Sequence, residues 1–149
     1  MAQNLIGIKN TSPQTIVTDG LVSLGSIYRK FITKGTCGLP TFSADSNSIT
    51  LNRRGIYHIT ATAVVSAPAA GVVTLALEEN GVEIVGAFAS ETITTATTEL
   101  RTLVIDYFVL VDSDLILNCP TTTAKTITIR NIGDEATIEN IVVNVEKEV

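Results

Sequence analysis

Hydrophobic and polar positions alternate along this chain with a period of two over long stretches, and the stretch Gly55 to Asn80 sets the pattern for the rest. Tyr57, Ile59, Ala61, Ala63 and Val65 fall on one face of a pleated strand, and Ile56, His58, Thr60, Thr62 and Val64 fall on the other. A strand with one wet face alternates apolar with charged residues, so a second face of Ile, His, Thr and Val reads as half-dry and covered by something. The neighbouring strand differs. There Val73, Leu75 and Leu77 alternate with Thr74, Ala76 and Glu78, the pattern of a strand with one face in water. The two-sided pattern recurs in Leu100 to Val111. Leu103, Ile105, Tyr107, Val109 and Val111 share one face, and Leu100, Thr102, Val104, Asp106, Phe108 and Leu110 the other. In Thr137 to Lys147, Ile141, Val143 and Val145 alternate with Asn140, Val142 and Asn144.

Turn chemistry divides the remainder. Asn80-Gly81 supplies the two residues that tolerate the positive φ angles of a type I′ turn, which predicts a hairpin between Val72–Glu79 and Val82–Ala89. Further strands are predicted at Asn4–Lys9, Thr15–Thr18, Leu21–Thr33, Ser48–Asn52, Leu115–Cys119 and Lys125–Asn131, with loops at Lys34–Asn47, where Phe42 is an anchor, and Ser90–Thr98. Thr, Val and Ile dominate and no helical period appears. The fold class is therefore all-β, a two-sheet antiparallel sandwich of jelly-roll kind with about ten strands. Residues 1–149 form a single domain, without a fixed-period repeat or an interdomain linker.

Composition sharpens the half-dry reading. Hydrophobic residues make up 45% of the chain and charged residues 17%, below the roughly 25% usual for soluble domains, so part of the surface is expected to be subunit contact. No apolar run approaches the roughly 20 residues of a membrane-spanning helix, and membrane insertion is not expected. A net charge of −5 argues against nucleic-acid binding, which needs a basic footprint. The N-terminus lacks the basic and apolar segments of an export signal, so the expected site of synthesis is a cytoplasm. Cys37 and Cys119 could pair, although buried reduced thiols are the commoner outcome in such a chain.

Gly55-Ile56-Tyr57 ahead of a small-residue strand, the hairpin ending in Asn80-Gly81, and Val111-Asp112-Ser113-Asp114-Leu115 between apolar strands resemble motifs of the complement globular-head and tumour-necrosis-factor-like superfamily, with Ser113 where that family usually has Gly. The resemblance spans most of residues 48 to 147. It implies a homotrimer around a threefold axis, with inner-sheet strands facing the core on one side and sister subunits on the other. The interface would then comprise Ile56, His58, Thr60, Thr62, Val64, Val104, Asp106, Phe108, Leu110 and Val142, and the strand bearing Glu78 would be an outer one. The chain is also similar, through Gly55-Ile56-Tyr57-His58-Ile59-Thr60-Ala61-Thr62, Glu79-Asn80-Gly81 and the closing Val145-Glu146-Lys147, to small structural proteins of tailed bacteriophages. That likeness implies a virion component: a capsid decoration protein or a head-fibre protein, or alternatively the receptor- or glycan-binding head of a tail fibre. The expected partners are other copies of itself and the phage capsid.

Candidate chemistry is sparse. His58 is the only histidine, so a site built from several histidines of one chain is excluded, and no Gly-x-Ser-x-Gly turn is present. A catalytic role is not expected. A trimer could gather His58 or Asp106 on its axis around calcium or another ion, though a hydrogen-bonded interface histidine is the commoner arrangement. Asp106 needs a partner if covered; Arg101, Arg54 or an ion could serve, or it could lie at a wet rim. The basic residues Arg29, Lys30 and Lys34, with Arg53 and Arg54 nearby in sequence, could dock on an acidic capsid surface or simply be a solvated strand end.

Overall fold

In a computed structural model of the chain, which describes residues 4–33, 40–112 and 124–149, the alternation becomes two facing antiparallel sheets. The strands are β1 (Asn4–Asn10), β2 (Gln14–Ile16), β3 (Ser26–Phe31), β4 (Phe42–Ala44), β5 (Ile49–Leu51), β6 (Gly55–Ser66), β7 (Gly71–Glu79), β8 (Val82–Ile93), β9 (Arg101–Val111), β10 (Lys125–Asn131) and β11 (Ala136–Lys147). One sheet runs β3-β1-β11-β6-β9, with β2 also pairing β11; the other runs β4-β5-β10-β7-β8. The predicted strand Leu115–Cys119, Cys37 and Lys34 lie outside the described residues.

The core is the seam between the sheets. Tyr57, Ile59, Ala61, Ala63 and Val65 of β6, Leu103, Ile105, Val109 and Val111 of β9, and Ile141, Val143 and Val145 of β11 are buried against Val73, Leu75, Leu77, Ile127 and Ile129. Each Val, Leu or Ile among them contributes roughly 1.5–3 kcal/mol by leaving water, and the alanines less. Phe42, the predicted anchor, starts a short strand and meets Tyr57 edge-on at 5.6 Å between ring centroids. The Tyr57 hydroxyl donates to the Arg53 carbonyl at 2.5 Å, and burial pushes its pKa up to about 12.

Several boundaries differ from expectation, each for a physical reason. β6 and β7 do not lie side by side: β6 is hydrogen-bonded to β11 on one edge and β9 on the other, so β7 crosses to the opposite sheet. The predicted strand Leu21–Thr33 is broken at Gly25, whose φ of +85° lets Val22 and Leu24 turn into the core while Ser26 and Tyr28 face outward. The loop after the hairpin is shorter than Ser90–Thr98, because β8 continues to a buried Ile93. The outer face of β7 is not wet throughout. Ala76 lies between Phe88 of β8 and Arg130 of β10, and the buried Glu78 carboxylate accepts from Arg130 Nε at 2.8 Å and Thr128 Oγ1 at 3.0 Å. A cross-strand cation thus turns an outward carboxylate into a covered one.

The type I′ hairpin is present, with φ of 52° at Asn80 and 82° at Gly81. Gly25 and Gly81 share a left-handed backbone but differ in surroundings. A Cβ on Gly25 would lie 2.1 Å from the Lys9 carbonyl oxygen, whereas one on Gly81 meets nothing within 4 Å. Gly81→Ala should therefore cost only the intrinsic penalty of about 1–2 kcal/mol, and Gly25→Ala should cost clearly more, because the β1–β3 connection must also move. Urea unfolding midpoints of the two variants check this ordering.

Candidate subunit interface

The register assembles the predicted face. Across β6 and β9, Ile56 pairs with Leu110, His58 with Phe108, Thr60 with Asp106, Thr62 with Val104 and Val64 with Thr102; across β6 and β11, Val142 pairs with Thr62 and Glu146 with His58. A period of two puts all of these on the side of the sheet away from the core. Every residue assigned to the interface from sequence thus lies on one continuous surface. Val104, Phe108 and Leu110 are 53%, 57% and 55% exposed and Ile56 is 37% exposed, so β9 presents an apolar ridge to water. Contiguous apolar surface of this kind marks a contact site. β8, which lies against β9 at the edge of the sandwich, also exposes Val82, Val85 and Phe88, which the sequence pattern did not single out.

One polar group interrupts the ridge. His58 Nε2 lies 2.5 Å from Asp106 Oδ1, and its ring stacks on Phe108 with centroids 4.5 Å apart and an interplanar angle of 12°. The pair is diagonal across the ladder, within the reach of long cross-strand side chains. Asp106 therefore finds its partner in His58 and not in Arg101, which pairs with Glu99, or Arg54, which pairs with Asp112. On the other side of the ring, Glu148 Oε1 approaches Nδ1 to 3.8 Å, because the Glu148 amide donates to the Ile56 carbonyl and carries the β11–β6 ladder one step past Lys147. Among the described residues, no group of three or more His, Cys, Asp or Glu is arranged to hold a metal.

The half of the same face nearer β3 mixes polar and apolar groups, with Phe31 opposite Leu5 and 54% exposed. Gly7 leaves room for the Tyr28 ring, which a Cβ there would approach to 2.7 Å, and the Tyr28 hydroxyl donates to Asn144 Oδ1 at 2.5 Å. Beside it is a shallow cleft of about 290 Å³ lined by Leu5, Tyr28, Arg29, Asn144 and Glu146. The basic residues do not form one patch. Arg29 pairs with Gly7 and Lys30 with the inward-facing Ile6, so they lie on opposite faces of an edge strand, and β1 and β11 separate both from Arg53 and Arg54 at the start of β6.

No protein-family model matches the chain, and no curated protein matches it. Solved structures do. The globular domain of zebrafish complement 1qA protein superposes with a TM-score of 0.60 at 9% identity over 98% of both chains, and murine APRIL with 0.62 at 9% identity over 98% of this chain and 99% of that one. The chain has the jelly-roll fold of complement 1q and tumour-necrosis-factor-like proteins. A viral protein shares this jelly roll: the PRD1 vertex protein P5 matches with a TM-score of 0.56 at 13% identity over 97% of this chain and 96% of its own. The strand order and these neighbours agree with the fold that the sequence motifs imply.

In this jelly roll the carboxylate of Asp106 can only accept, so the neutral imidazole must carry its proton on Nε2. Nitrogen-15 NMR of the ring above its titration range should show the Nε2–H tautomer, and Asp106→Asn should remove that preference. A dominant Nδ1–H form in the unmodified protein would contradict the hydrogen bond.

Proposed function

We propose that this chain is a non-enzymatic, homotrimeric structural protein of a bacteriophage particle, a capsid decoration or head-fibre protein localised to the virion. The observation that carries the proposal is the apolar ridge of Ile56, Val104, Phe108 and Leu110 on the face away from the core. Two features favour a second copy of the chain as its cover. The resemblance seen in the sequence implies threefold packing through this sheet, and the adjoining half of the face, with its cleft and exposed Phe31, gives a neighbour rotated about an axis a different surface to meet. An obligate interface of roughly 2,000 Å² or more would leave little free monomer. Likeness to a vertex protein over almost the whole of both chains supports the particle assignment. Among the described residues the hydrogen-bond and ion-pair partners of His58 are the carboxylates of Asp106 and Glu148, which favours a packing role over activation of a nucleophile.

A charge inserted in a covered face without a partner costs about 3–5 kcal/mol, more than a hundredfold in association. Val104→Lys and Thr62→Lys should therefore yield monomers in sedimentation velocity, while Thr74→Lys, on the outer face of β7, should sediment as the unmodified protein. Identical behaviour of all three would contradict the assignment of faces. Gold-labelled antibody against the chain should decorate intact phage particles; label confined to the host lysate, with bare particles, would contradict the virion role.

A further inference from the structure

The ridge carries a feature that an inert apolar contact would not need. His58 stands on it, stacked on Phe108 and bonded through Nε2 to Asp106, and among the described residues the charged groups facing it are acidic. Asp106 comes from β9, Glu146 stands directly opposite on β11, and Glu148 from the end of the chain faces Nδ1 at 3.8 Å. The neighbouring cations are engaged elsewhere: Arg54 with Asp112, and Lys147 Nζ with the Val149 carbonyl at 2.5 Å. Within one chain Asp106 is 61% exposed, so water solvates its charge whether or not the imidazole is protonated.

Covering this face changes that balance. With a neutral imidazole, a subunit contact would enclose an uncompensated carboxylate, which costs several kcal/mol of desolvation; with an imidazolium, it would enclose a neutral ion pair that also holds its hydrogen bond. The outlying Glu146 and Glu148 act in the same direction, because each adds negative potential at the ring. We propose that the His58–Asp106 pair makes subunit assembly proton-linked, with association taking up protons at His58 and tightening as pH falls through the range in which histidine titrates. This inference rests on the proposed subunit interface and assigns it a regulator. The assembled state binds the extra proton more tightly than the separate chains do. Its added stability is therefore complete on the acid side of that range and lost as pH rises through it.

The test is the dissociation midpoint of the full chain, measured by sedimentation velocity over a dilution series between about pH 5.5 and about pH 8 at constant ionic strength. The midpoint concentration should rise by roughly tenfold or more from the acid to the alkaline end, since each linked proton is worth up to about tenfold in association per pH unit. In Asp106→Asn most of the acid-side gain should be lost, because an amide offers no charge for an imidazolium to neutralise and only the outlying Glu146 and Glu148 remain, and His58→Gln should show a midpoint that does not move with pH. An unmodified protein that assembles with a pH-independent midpoint overturns the proton link and leaves the interface standing. A chain that stays monomeric at every pH overturns both, and persistence of the full pH dependence in Asp106→Asn and His58→Gln would assign the linkage to other groups and overturn the role of the pair.

Discussion

The structure depends on one constraint: β6 is hydrogen-bonded along both edges and apolar or small on both faces. Its backbone is satisfied by β11 and β9, so nothing further can be added within the plane of the sheet. One face is filled by the opposite sheet. On the other, among the described residues, no third layer of its own chain lies over it, yet with β9 it carries Ile56, Val64, Val104, Phe108 and Leu110 where an ordinary solvated sheet would carry Lys and Glu. Low overall charge is the same fact seen in composition. A sandwich built this way has one complete core and half of another, and a second copy of the chain is the simplest source of the missing half.

The second sheet shows what the alternative looks like. Its outer face carries Thr50 against Thr126, Thr74 against Ser90, and Glu78 held by Arg130 and Thr128. These are polar groups paired across neighbouring strands, and among the described residues the exposed apolar side chains of this sheet are confined to its β7–β8 side, at Val72, Val82, Val85 and Phe88. The two sheets therefore differ in kind, and the difference lies in which side chains sit opposite one another.

Much of this was legible before any coordinates. Period-two alternation identified β6, β9 and β11 and sorted their residues correctly between core and far face, because a strand offers only two sides. Asn80-Gly81 located the hairpin because few residues accept two consecutive positive φ angles. What alternation could not show was partnership. It read β6 and β7 as adjacent because they are consecutive, although saturated edges send β7 to the other sheet. It read the outer face of β7 as wet because the Arg130 that covers Glu78 is remote in sequence. It offered Asp106 several cations and missed His58, since a diagonal contact across a ladder depends on register, which the pattern of one strand does not contain. The approach of Glu148 to the same ring depends on the pairing of β11 with β6, which the pattern of one strand does not contain either.

The central claim is that the far face of β6 and β9 is buried between copies of the chain. Its most direct test is the molar mass of the unmodified protein by light scattering over a range of concentrations. The account predicts a mass about three times the 15.8 kDa of one chain, unchanged down to low micromolar concentration. A mass of one chain throughout would contradict it, and the apolar ridge would then need a cover that is not another copy of this protein.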